Sequence, residues 1–149
     1  MSIKAYQAVQ DKVTDPRRIE IMVFQRCNAL MSAAASARSH GIVATDPLAA
    51  IKGEAQALFE HDRLWISLLA DLATDENQMP APLRARLISL GLWSCRYTDR
   101  VRQQQAPFEP LIELNNQMIA GLTDSLQANR NATVEPAAPF THTDAPIVT

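Results

Sequence analysis

The sequence predicts an all-α protein: an antiparallel four-helix bundle with a short N-terminal extension and a disordered C-terminal tail. Three observations carry this. Only 4 glycines and 5% aromatic residues stand against abundant alanine, leucine and arginine, a balance that favours helix over sheet. Apolar residues recur three and four apart through four long stretches. Start and stop residues bound those stretches, and the short connections favour neighbours that run in opposite directions.

The first helix begins at Asp15-Pro16, a capping residue followed by proline at the first helical position. Its apolar stripe is Ile19, Met22, Val23, Cys27, Leu30 and Ala34, and His40 with Gly41 supply its stop. Asp46-Pro47 repeats the start signal for the second helix. Leu48, Ile51, Ala55, Leu58, Trp65, Leu69 and Leu72 form its seam, with Trp65 expected in the core. Asp62 falls where an apolar residue is due; either an arginine partners it or the seam opens there.

Asp75 to Met79 is a polar connection, and Pro80 and Pro82 start the third helix. Leu83, Leu87, Leu90, Tyr97 and Val101 make one stripe, with Ile88, Leu92 and Cys95 beside it. So wide an apolar arc suits a central helix. Gly91 costs about 1 kcal/mol against alanine in mid-helix, which suggests close approach of a neighbour. Gln103 to Pro107 breaks the pattern again. The fourth helix carries Phe108, Leu111, Ile112, Leu114, Met118, Ile119 and Leu122, with Asn115 in the stripe as a register-fixing polar residue. From Ala128 the period stops, so residues 1–127 are read as the helical domain and 128–149 as the tail. Tyr6 and Val9 of the N-terminal extension are candidates for docking on the bundle.

At 149 residues, 47% of them hydrophobic, the chain suits one domain with a substantial core. A net charge of -2 argues against a general nucleic-acid binder. The N-terminus, with Lys4 and Lys12 and no continuous apolar run, is not read as a secretory signal. No window approaches the roughly 20 apolar residues of a membrane span. The expected location is the cytoplasm, where Cys27 and Cys95 are expected as free, buried thiols.

Catalytic and metal-binding patterns are missing. His40, His61 and His142 show no ligand spacing and are read as solvated, no glycine-rich phosphate loop or nucleophile elbow occurs, and no histidine is placed to activate Cys95. The chain is therefore expected to be non-enzymatic, with no cofactor. Acidic residues from Glu54 to Glu76 and five arginines from Arg84 to Arg102 are expected to form interhelical ion pairs or to meet a charged partner. One face of the third helix carries Arg86, Ser89, Trp93, Arg96 and Arg100. Trp93 there is either a cation–π cluster or binding anchor, or it packs against the first helix or the N-terminal extension. The candidate partner-binding residues are Arg86, Trp93, Arg96, Tyr97 and Arg100.

Taken in order, Arg63-Leu64-Trp65, Asp71-Leu72, Pro82-Leu83-Arg84-Ala85, Leu87-Ile88-Ser89-Leu90, Trp93, Leu111-Ile112-Glu113-Leu114-Asn115, Met118-Ile119 and Gly121-Leu122 form a succession. With Ala5-Tyr6 near the start, it resembles the alphaproteobacterial FlaF family of flagellar biosynthesis regulators over about residues 3 to 124. The resemblance implies a small cytoplasmic protein needed for flagellin production and filament assembly. It would act after transcription with the regulator FlbT, and as a chaperone-like factor in flagellin export. Flagellin, an FlbT-like regulator and flagellin mRNA are the partners so implied. A wide apolar arc on the third and fourth helices would suit an amphipathic segment of flagellin. The arginine density from Arg84 to Arg102 is the feature that would suit mRNA.

Overall fold

A computed structural model describes residues 15–39 and 46–133. They form four helices: α1 (Pro16–Ser39), α2 (Pro47–Leu72), α3 (Ala81–Arg102) and α4 (Glu109–Thr133). His40, Gly41, His142, Tyr6, Val9, Lys4 and Lys12 lie outside the described residues, as does most of the tail.

Both Asp-Pro starts act as caps. The Asp15 carboxylate accepts from the Arg17 N–H at 3.0 Å, and that of Asp46 from the Ala49 N–H at 3.1 Å. α3 starts on proline with no side-chain cap and ends in a reversal at Gln104, whose φ of 60° places a non-glycine residue in the left-handed region. The Gln105 N–H reaches back to the Arg100 carbonyl there at 2.9 Å. α4 continues to Thr133, past Ala128, with residues 127–132 exposed.

The helices are arranged side by side in the order α3, α2, α1, α4, and α3 touches α4 only slightly. Later residues of one helix meet earlier residues of the next. Arg38 bonds Glu54 while Phe24 meets Trp65, and Leu69 approaches Gly91 while Asp62 bonds Thr98. Successive neighbours therefore run in opposite directions along these contacts. The expectation that α3 is central is overturned. α3 packs mainly on α2, and Leu92, on its second stripe, is exposed. The arc is wide because α3 carries apolar residues on faces that the bundle does not cover.

The core falls into two clusters. One holds Met31, Leu58, Val101, Phe108 and Leu111; the other holds Phe24, Trp65 and Leu114. The expected α1 stripe is only half right, since Ile19 and Met22 are 54% and 66% exposed. The buried face instead runs through Phe24, Cys27, Asn28, Met31 and Ala34. Asn28 lies on that face, and its amide donates to Asn116 of α4 at 2.9 Å. An apolar count does not select such a buried, hydrogen-bonded polar residue. Leu48 and Ile51 of the α2 seam are likewise exposed, at the helix's open first turns.

Polar groups in the core do specific work. The Trp65 Nε1–H donates to Asn115 Oδ1 at 3.0 Å, fixing α2 against α4. Asp62 is partnered by an arginine: Arg102 pairs with it, and the Thr98 hydroxyl donates to it at 2.7 Å. At the loop end of the bundle Arg38 bonds Glu54, the Val101 carbonyl at 2.8 Å and the Ala106 carbonyl at 3.1 Å. Its guanidinium also lies 4.7 Å from the Phe108 ring centroid. One α1 side chain thus ties α2, the end of α3 and the α3–α4 loop together. His61 is not solvated, as the sequence suggested, but wholly buried beneath Trp65 and facing Ser94.

Candidate functional site: a groove between α3 and α4

The chain leaves α3 at Arg102 and enters α4 at Glu109, and the two helices are held together near this loop. The Tyr97 hydroxyl donates to the Pro107 carbonyl at 2.7 Å, and Val101 and Phe108 are both buried. Toward the other end α3 and α4 part. Leu83 and Leu87 line one wall, Met118, Gly121 and Leu122 the other, and Phe24, Leu64, Leu68 and Leu72 the floor. The result is an apolar groove of about 720 Å³. That volume suits the side chains of one helix face, and its lining is the kind that receives such a face.

Gly121 shapes the wall. A Cβ built there meets nothing within 4 Å, so the missing side chain leaves open space in the groove. Gly91 behaves in the opposite way, since a Cβ there would lie 2.6 Å from Leu69 Cδ2. That glycine exists for close packing of α2 on α3, as its mid-helix position suggested.

Charge in the groove is one-sided. Its lining contains the carboxylates of Glu20 and Asp71 and no lysine or arginine. Glu20 is exposed as a residue, yet its carboxyl is partly shielded. Burial pushes that carboxyl above its ordinary value; Arg17 opposes the effect, while Asp71 and Asp15 reinforce it. Glu20 takes part in no ion pair among the described residues. A smaller hollow of about 350 Å³ lies at the loop end between α1 and α2, but there Arg38 and Glu54 are already satisfied by each other.

The five candidate residues on α3 are partly brought together. Trp93 stacks on Tyr97 with ring centroids 5.0 Å apart, and the Arg100 guanidinium lies 5.8 Å from the Tyr97 ring centroid. Trp93 remains 37% exposed while Tyr97 is buried beneath it. Among the described residues Trp93 stacks on its own helix; the alternative of packing on the N-terminal extension lies outside them. Arg96 is exposed, and Arg86 borders a shallow hollow with Ser89 and Leu90. None of the five lines the deep groove. The stack sits on the same helix, nearer the closed end of the seam. The expected lattice of α2–α3 ion pairs reduces to Asp62–Arg102, because Glu54 is taken by Arg38 and Gln104.

Sequence reasoning chose the third and fourth helices as the surface for an amphipathic segment but did not single out Leu83, Leu87, Met118, Gly121 and Leu122, because the same spacing describes core. The one local signal was Gly121, an unforced glycine in a helical stripe. No group of three histidine, cysteine, aspartate or glutamate residues suited to a metal occurs among the described residues. The one histidine facing a hydroxyl, His61 with Ser94 at 3.3 Å, has no exposed surface and its pKa is lowered to about 4, chiefly by burial. Both cysteines are free, and burial pushes the Cys27 thiol up to about 11 and raises that of Cys95.

A sequence model of the family described as flagellar protein FlaF matches residues 2–122. The chain belongs to the FlaF family. No curated protein and no solved structure shows significant similarity to it. The FlaF match ends at Leu122, the last large apolar residue of the α4 wall, so the groove lies almost wholly within the family's unit. This FlaF protein has no helix among the described residues that is long and apolar enough to cross a membrane.

Proposed function

We propose that this FlaF protein serves flagellum biogenesis as a non-enzymatic export chaperone or adaptor that binds flagellin, and so promotes flagellin synthesis and filament assembly. The observation that supports the reading is the apolar groove between α3 and α4 in a protein of a flagellar family. A segment that folds into an amphipathic helix on docking spends part of its binding energy on ordering. Such a complex protects the segment yet releases it, which is what export requires.

The test is titration of purified, monomeric flagellin into the protein by calorimetry, with RNA removed from both. Saturable binding at micromolar affinity or better is expected. Gly121→Trp, which fills the groove from an open position, is expected to weaken it at least about tenfold, or ~1.4 kcal/mol. Trp93→Ala and Arg96→Ala are expected to weaken it a few-fold; no change in either removes the α3 stack from the contact while leaving the groove. No heat and no co-elution with flagellin overturns the reading and moves weight to FlbT or flagellin mRNA as the direct partner.

A further inference from the structure

The groove has a polarity that its apolar lining alone does not explain. Glu20 lies on the second turn of α1 and Asp71 on the last turn of α2, so both mark the groove's mouth at one end of the bundle. No cation among the lining residues answers them. Among the described residues Arg17 acts electrostatically on Glu20, and Asp15 adds a further negative charge. Among the same residues the Asp71 carboxylate receives one long contact, from the Asn77 amide at 3.4 Å. An anionic amphiphile such as a fatty acid would bring its carboxylate to this mouth and be repelled. A neutral apolar helix would leave the partly shielded Glu20 carboxyl and the exposed Asp71 carboxylate unanswered.

We infer that the groove selects an amphipathic helical segment with a lysine or arginine at the end that reaches Glu20 and Asp71. The proposal rests on the reading of the groove as a helix-binding surface and adds the charge and orientation of its occupant. The α4 wall runs from Gln117 to Ser125, a rise of about 12 Å, so the docked portion is about two turns long. Its apolar side chains, spaced three and four apart, fill the space between Leu87 and Met118. Gly121 lets its backbone approach α4 closely. The basic side chain leaves the groove at the mouth, where it meets the partly shielded Glu20 carboxyl and the exposed Asp71 carboxylate.

The test uses two synthetic peptides of about fourteen residues with identical leucine positions. One carries two lysines at one end and the other two glutamates at the same end. Each is titrated into the full-length protein at low and at moderate salt, with fluorescence anisotropy as the readout. The lysine peptide is expected to bind at least about fivefold more tightly than the glutamate peptide, with the difference shrinking as salt rises. Glu20→Gln combined with Asp71→Asn is expected to erase the difference while leaving the fold and the glutamate peptide's binding intact. Gly121→Trp is expected to abolish binding of both. Equal affinity for the two peptides, or a preference that survives the double variant, overturns the proposal. So does concentration-dependent dimerisation that Gly121→Trp abolishes, since the groove would then hold a second copy. A parallel titration of flagellin separates the two readings. If flagellin fails to bind while the lysine peptide binds as expected, the proposed function falls and the groove's selectivity stands. If flagellin binds, is blocked by Gly121→Trp and is indifferent to the double variant, the selectivity falls alone.

Discussion

His61 has no exposed surface, and its imidazole is kept neutral chiefly by burial, with Asp62 acting weakly the other way. Its pKa lies near 4 in the folded chain against an ordinary 6.5. Between those values the unfolded chain binds more protons, so stability is fully present above about pH 6.5 and falls as the pH drops toward 4. We expect unfolding free energy from urea titrations to fall by about 2 kcal/mol between pH 7 and pH 5, and expect His61→Gln to flatten that slope. A slope unchanged by the substitution would place the titrating group elsewhere. Two glycines supply a second contrast at the same scale. Gly91→Ala gains helix propensity but drives its new methyl into Leu69, for a net loss of about 1 kcal/mol. Gly121→Ala meets nothing and is expected to gain about 0.5–1 kcal/mol in the same urea titration. The sequence showed both as helical glycines; which one is crowded depends on a neighbour more than twenty residues away.

Helix starts were legible because capping is local. Asp46 and Pro47 act within one turn, and the Asp46 carboxylate closes on the Ala49 N–H. Asp46→Ala is expected to cost about 1 kcal/mol, seen as a lower urea midpoint at unchanged m-value. Helix faces were read less well. In α1 the inward face includes Asn28, and in α2 it includes His61, both polar residues that an apolar count leaves out. Trp65 and Leu72 were placed correctly because their neighbours on the same face are also apolar. The Trp93 stack on α3 was half legible: Arg100, Tyr97 and Trp93 share a face by spacing alone, but the tyrosine's burial follows from its bond to Pro107.

For the whole molecule the order α3, α2, α1, α4 matters more than the helix count. A closed bundle would join α3 to α4 along their length and leave no groove. Here the seam is held near the loop by Tyr97, Val101 and Phe108 and parts beyond it. Amide exchange is therefore expected to be faster over 81–90 and 121–133 than over the middle of α1 and α2, where packing is two-sided. A segment bound in the groove is expected to slow exchange over 81–90 first. Equal protection along α3 with no partner present would show that the seam is closed in solution.

Composition, capping and period three-and-four spacing determined four helices, their starts and the apolar stock from which a core is built. Those are properties of residues near one another in the chain. The succession of residues also carried the family. Only the tertiary structure decided which apolar residues became core and which became groove, because Leu83 and Leu87 have the same spacing as any buried pair. Their exposure depends on how far α4 stands from α3. That distance is set remotely, by Arg38 and Phe108 at one end, by Trp65 and Asn115 between α2 and α4, and by Gly91 drawing α3 onto α2.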